Sequence, residues 1–259
     1  WEYQDYAELR EKLEATDIRL SGIHFPHVDS EQRCNYEQLL EPFKHLDFEE
    51  CSFYGSRLLW NSSGVASRFT RCAFYNDWQA SETEAFWGTE ALFDRCEFHR
   101  EVVLAGHGPD VVFLEKLGAV FQDCNLQELR LENLRLEADL FRNSREIPFQ
   151  IKALSITDCV LAGKLIIDNI KSMDHLRLTS TRFENKFAMI NCECDTFTIK
   201  NTNFDGLADF YQSQFESFQI QKSIFRDFAG FEGCCFGKAP TAQERIVLRY
   251  VTFYSFINF

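Results

Sequence analysis

The sequence predicts an all-β chain wound as a square β-solenoid of about 21 residues per coil, and three observations predict it. Large apolar residues recur at Phe183, Met189, Cys194, Ile199, Phe204, Phe210, Phe215, Ile220, Phe225, Phe231 and Phe236, at steps of 5 or 6. The steps sum to 21 from Phe183 to Phe204 and again from Phe204 to Phe225. A strict five-residue frame carries Leu126, Leu131, Leu136, Phe141, Ile151, Ile156, Leu161 and Ile166, broken only by Glu146. A shorter signature, Phe-x-x-Cys-x-Phe, begins at Phe48, Phe69 and Phe93, and its fourth copy, from Phe121, ends in Leu126. Its cysteines Cys51, Cys72, Cys96 and Cys124 lie 21, 24 and 28 residues apart. A helix repeats at about 3.6 residues and a flat strand at 2, so neither makes this pattern. A fixed long period means a solenoid, and four five-residue sides with one spare residue close a square.

Residues 1–46 precede the repeat. Within them, residues 3–15 predict an amphipathic helix with Tyr6, Leu9 and Leu13 on one face, and Asn35 to Leu40 predicts a short helix stopped before Pro42. An open coil exposes unpaired backbone and apolar surface, so this partly helical, acidic segment is expected to cap the solenoid or to recruit a partner. The repeat is expected over 47–236, with insertions near 75–92, 99–120 and 142–150. Cys124 and Cys159 are 35 residues apart, which is seven sides rather than eight. Either they lie on different faces or a loop near 143–148 absorbs the difference; that stretch is polar and ends in Pro148, which favours the loop. The terminal coil, 237–259, restores the beat at Leu248, Val251 and Phe253, and Phe256 and Phe259 keep it apolar. It is expected to stack on a second copy or to lead into further coils or helices.

The blocks Cys124-Asn125-Leu126-Gln127-Glu128 and Thr202-Asn203-Phe204-Asp205-Gly206 read small–polar–Leu/Phe–polar–polar. In this the chain resembles the pentapeptide-repeat proteins, over roughly residues 48–236. It departs from the tightest members by placing Leu129, Leu134, Phe149 and Leu154 at the small position and by favouring Phe over Leu at the centre of the later blocks. The resemblance implies a right-handed quadrilateral β-helix, with the central residue and the small residue two before it both pointing inward.

Composition fits a stacked interior. The 27 Phe residues are expected to form an aromatic core. Of the ten cysteines, Cys51, Cys72, Cys96, Cys124, Cys159 and Cys234 fall in the small inward position, which Thr181, Thr202 and Ser223 fill later. They read as reduced core residues, as does the pair Cys192 and Cys194, whose spacing alone would suggest a metal. Cys235 is expected to point outward and to be the reactive thiol of the repeat. Free thiols in this number imply a reducing, cytoplasmic setting, with the cytoplasmic face of a membrane as the variant. No run of 18 apolar residues occurs to span a bilayer. The net charge of −13 is concentrated at the start: residues 1–50 hold 13 Asp/Glu against 5 Lys/Arg, while 121–180 and 181–259 each hold 9 against 8. No basic stripe points to direct nucleic-acid binding.

The motifs of phosphate-binding loops, nucleophile elbows and zinc peptidases do not occur, so no enzyme, cofactor or metal is expected. Glu128, Glu132 and Glu137 alternate with Arg130 and Arg135 as a solvated face. Loops on a rigid scaffold commonly carry function, so the candidate partner-binding residues are Trp78, Phe86, Trp87, His107 and Asp110 in the two insertions, with folding of the Trp residues back over a coil as the alternative. His99, His107 and Asp110 are also the only set there with metal or acid–base chemistry. The function expected is a non-catalytic scaffold presenting a rigid face and Trp-bearing loops to protein partners. Membrane tethering through segments outside this chain and self-association through the C-terminal coil are compatible with it. The alternative is a DNA-mimic inhibitor of a type II topoisomerase, as some pentapeptide-repeat proteins are; the near-neutral repeat body weighs against it.

Overall fold

The computed structural model describes residues 17–25, 45–55, 66–81, 85–86, 91–110, 112–113, 117–144, 149–237 and 246–259. These residues form a right-handed β-helix in which every strand pairing is parallel, and they include no helix. The two helices expected at 3–15 and 35–40 lie outside the described residues.

Four faces wrap the interior. The first begins with Asp17–Ser21, His45–Glu49, Ala66–Thr70, Ala91–Asp94, Ala119–Gln122 and Asp139–Arg142. A bond from Leu140 N to Lys164 O (3.0 Å) hands it on to Leu165–Asp168, Phe187–Ile190, Ala208–Asp209, Ala229–Gly230 and Ile257–Asn258. The second and third faces share one 12-stranded sheet, because strands such as Asn125–Glu132 and Glu193–Lys200 span two five-residue sides. The fourth runs from Val112–Phe113 through Arg135–Leu136, Val160–Leu161, Arg182–Phe183, Asn203–Phe204 and Ile224–Phe225 to Thr252–Phe253.

The register follows the beat. Met173, Cys194, Phe215 and Phe236 pair in succession, as do Leu161, Phe183, Phe204, Phe225 and Phe253. Parallel in-register strands put like side chains one strand spacing apart, about 4.8 Å, which is the distance at which aromatic rings stack. Phe25, Phe53, Phe74 and Phe98 accordingly stack at 4.9, 4.9 and 4.6 Å. A second column, Phe48, Phe69, Phe93 and Phe121, stacks at 5.2, 5.1 and 5.2 Å. The two columns meet edge-on, as at Phe93 and Phe98 (85°), so the N-terminal interior is a herringbone of Phe. Leu, Ile and Met take over between Leu126 and Leu178, and Phe returns from Phe183 onward.

Corners are set by backbone conformation rather than by residue type. Thirteen non-glycine residues have φ between 49° and 58°, and each immediately precedes an inward-turning side chain: Glu50 before Cys51, Asn133 before Leu134, Asn201 before Thr202, Lys222 before Ser223. Their hydrogen bonds reach into the neighbouring coils; Asn201 N donates to Gln221 O (2.9 Å) and Asn203 N to Thr181 O (2.9 Å). The inward residue that follows is a donor as well as a small side chain. Thr202 Oγ1 lies 3.0 Å from Lys200 O and 3.4 Å from Leu178 O, and Cys124 Sγ lies 3.3 Å from Gln122 O and 3.4 Å from Phe93 O. One proton serves one carbonyl at a time, and either bond satisfies an acceptor that the core would otherwise leave bare.

The structure corrects the sequence reading in four places. First, the solenoid starts at Asp17 rather than 47: Leu20 pairs with Phe48 and Phe25 with Phe53, but 28 residues separate these partners and hide the beat. Second, the expected insertions contain solenoid strands. Trp78–Ser81 pairs with Val102–Ala105, Ala85–Phe86 pairs with the first face, and Val112–Phe113 opens the fourth. A bulge between Phe98 and Glu101 and a small central residue, Ala80, break the pattern there. Third, Cys124 and Cys159 stand on different corners. Leu126 pairs with Ile151, whereas Leu136 pairs with Leu161, so the seven-side spacing is literal and needs no loop to absorb it. Fourth, the small inward position is two ladders, not one. Cys51, Cys72, Cys96, Cys124, Cys192, Ser213 and Cys234 belong to the corner entering the second face; Leu134, Cys159, Thr181, Thr202 and Ser223 belong to the corner entering the fourth.

The nine described cysteines are unpaired, and seven of them are buried. Burial pushes the thiols of Cys192 and Cys194 up to about 11 and about 12. Cys235 is exposed. Iodoacetamide on the native chain is therefore expected to label Cys235 before any of the seven, which react only in denaturant; peptide mapping by mass spectrometry checks the order.

Candidate interaction surfaces

The residues singled out from the sequence separate in the structure. Trp78 is 1% exposed and packs among Phe69, Phe74 and Phe93, with ring centroids 5.2–6.3 Å away, so it is a core residue and not a surface anchor. Its position two before Ala80 on the third face turns it inward. Its indole N–H has no partner among the described residues. Phe86 lies in the strand pairing with Ala66–Thr70, and Trp87 lies outside the described residues. His107 and Asp110 are exposed in the turn after Glu97–Ala105. That turn is held close to the next coil, since Gly108 N donates to Asn133 O (2.9 Å), and a Cβ at Gly106 would stand 2.8 Å from Asn133 O. His99 is elsewhere, stacked on Tyr75 at 4.7 Å with Tyr75 on Tyr54 at 4.8 Å. The three residues do not converge, and no group of His, Cys, Asp or Glu among the described residues is placed to hold a metal.

Three surfaces stand out instead. The fourth face carries an ion-pair ladder. Arg135 holds Glu184 two coils away through two bonds (2.8 and 3.3 Å), across an intervening coil that offers only Val160 and Ala162. Asp205 then bridges Arg182 (2.6 Å) and Arg226 (3.0 Å), and Arg226 lies 5.7 Å over the Tyr254 ring. Exposed single pairs contribute little, but a partly shielded two-bond guanidinium–carboxylate clamp contributes more. Arg135→Met is expected to cost about 1 kcal/mol, read from the urea midpoint, while Arg95→Met, whose partner Asp94 is its own neighbour, stays within about 0.5 kcal/mol.

The third face is a flat strip of outward side chains on eight successive rows, beginning at Asp77 and ending at Arg249. Arg130 joins Glu101 (3.0 Å) and Glu132 (2.8 Å) there. His175 Nε2 lies 3.5 Å from Ser155 Oγ, and burial together with Arg177 lowers the imidazole pKa. The pair sits on an open sheet, and its geometry is that of a weak surface contact.

The last coil forms the third surface. Seven of the ten exposed large apolar residues are Ile246, Leu248, Tyr250, Tyr254, Phe256, Ile257 and Phe259. Phe253 and Phe259 still stack on Phe225 and Phe231, at 5.0 and 5.3 Å, so the coil is built on the same aromatic columns as the body. No helix among the described residues is long and apolar enough to cross a membrane. Comparison with known proteins finds no matching family model, no similar curated protein and no similar solved structure.

Proposed function

We propose that this chain is a non-catalytic scaffold, a rigid β-helix whose outer surfaces receive protein partners, and that it is a divergent member of the pentapeptide-repeat family. The observation that supports the scaffold reading is the clustering of exposed apolar side chains on residues 246–259, where Tyr250, Phe256 and Phe259 are 84%, 81% and 73% exposed. Contiguous apolar surface of this kind is what protein partners cover. The square coil and its five-residue frame support the family assignment.

The test is stoichiometric complex formation by the full-length protein and by a Tyr250→Ser, Phe256→Ser variant. A partner that co-purifies in fixed ratio with the parent and is lost from the variant supports the reading. Equal recovery from both removes the terminal coil from it. Recovery only from detergent extracts would add a membrane tether.

The DNA-mimic reading draws on the net charge of −13. A duplex mimic needs acid spread along the rod, and the carboxylates of the fourth face are interleaved with Arg135, Arg182 and Arg226. Inhibition of topoisomerase supercoiling at micromolar protein would reverse the ranking.

A further inference from the structure

The outward side chains of the third face divide by charge. Rows 77–81, 101–105 and 128–132 hold four carboxylates, Asp77, Glu101, Glu128 and Glu132, against one guanidinium, Arg130. Rows 153–157, 175–179, 196–200, 217–221 and 246–249 hold three cations, Arg177, Lys200 and Arg249, and no carboxylate. Arg177 and Lys200 are exposed and make no ion pair among the described residues. The carboxyl of Glu101 is raised by burial, with Arg130 opposing and Glu128, Asp77 and Glu132 adding to the rise. Between the two halves lies an uncharged row, Ala153, Ser155 and Thr157.

We propose that this bipolar face pairs with the same face of a second copy, the two solenoids running antiparallel about a two-fold axis that lies along the 153–157 row. Such an axis preserves position along the strand and reverses the order of rows. The row of Glu128 and Glu132 then faces the second copy's His175 and Arg177, and the row of Glu101 faces the second copy's Lys200. Symmetry makes each contact occur twice. Rows are about 4.8 Å apart and each presents about 16 Å of strand, so eight rows offer about 600 Å² per copy, or about 1,200 Å² in all, the lower end of a specific interface. Two chains of net charge −13 repel at long range, so the attraction must come from this local pairing of opposite halves.

Analytical ultracentrifugation of the full chain tests this with two charge reversals, Arg177→Glu and Glu128→Arg. The parent is expected to dimerise, and each variant alone to dissociate at least about tenfold more readily. Mixed in equal amounts, the two variants are expected to recover a one-to-one dimer, because each reversal then meets the other. Circular dichroism establishes that both variants fold. A monomeric parent, a dimer indifferent to Arg177→Glu, or two dissociated variants that stay apart when mixed would each overturn the proposal. So would a dimer that Phe256→Ser alone dissolves, since that places the contact at the terminal coil.

Discussion

Replacing Phe204 by Ala is expected to lower the unfolding free energy by about 3–5 kcal/mol, the largest effect of any single truncation on the fourth face. The ring is fully buried and stacks between Phe183 (4.9 Å) and Phe225 (4.6 Å), with Phe187 edge-on at 5.5 Å. Neighbouring coils are locked in register, so the cavity cannot close by moving one coil toward another. Phe204→Leu, which keeps most of the volume, is expected to cost about 1.5 kcal/mol or less. Urea denaturation followed by circular dichroism measures both. A solenoid is stabilised mainly by contacts between nearest coils. Hydrogen exchange should therefore show protection falling first around 183–225, with the Phe herringbone near Phe93 keeping its protection. Uniform loss along the chain would mean that the solenoid unfolds as a single cooperative unit.

Gly163→Val is expected to be at least as damaging, about 3 kcal/mol or more, by the opposite mechanism. Gly163 follows the fourth-face strand Val160–Leu161, where the chain turns toward Leu165–Asp168 directly above the preceding coil. A Cβ there would stand 2.0 Å from the carbonyl oxygen of Ala138 and 2.8 Å from Asp139 N. Both are backbone atoms committed to the stack, so neither can move without shifting a coil. Gly206 repeats the situation against Asn185, at 2.6 Å. Soluble yield and melting temperature of Gly163→Val and Gly206→Ala check the expectation, and native-like behaviour of both would mean that the coil spacing at this corner is more compliant than the structure implies.

The fold was legible because the interior repeats. Each of Phe183, Phe204 and Phe225 does the same job one coil apart, so the period appears directly in the sequence. What a one-dimensional period cannot say is which of four sides a residue occupies. Cys124 and Cys159 both stand two residues before a central position, and only the pairing of Leu126 with Ile151 and of Leu136 with Leu161 separates their corners. The corner residues themselves were not legible. Glu50, Arg71, Lys222 and Tyr250 share a backbone conformation with Asn133 and Asn201 but no side-chain chemistry, because hydrogen bonds between coils hold them there whatever their type. Trp78 misled for a related reason. It lies where Ala80 and the nearby bulge interrupt the beat, so an inward residue looked like part of a loop. The bipolar third face was invisible in the charge totals, since its two halves cancel and its members are 20 or more residues apart in sequence.

The identity of successive coils sets how such a molecule can change in length. From Met173 to Phe236 each turn consumes 21 residues. Each advances the stack by about 4.8 Å. Excising 183–203 would join Arg182 to Phe204 and return every later residue to an equivalent inward or outward position, yielding the same object one layer shorter. Excising one residue would turn every later side chain out of phase. Duplication and loss of whole layers is thus the step by which a chain like this can grow or shrink while staying folded, and its length works as a ruler graduated in coils.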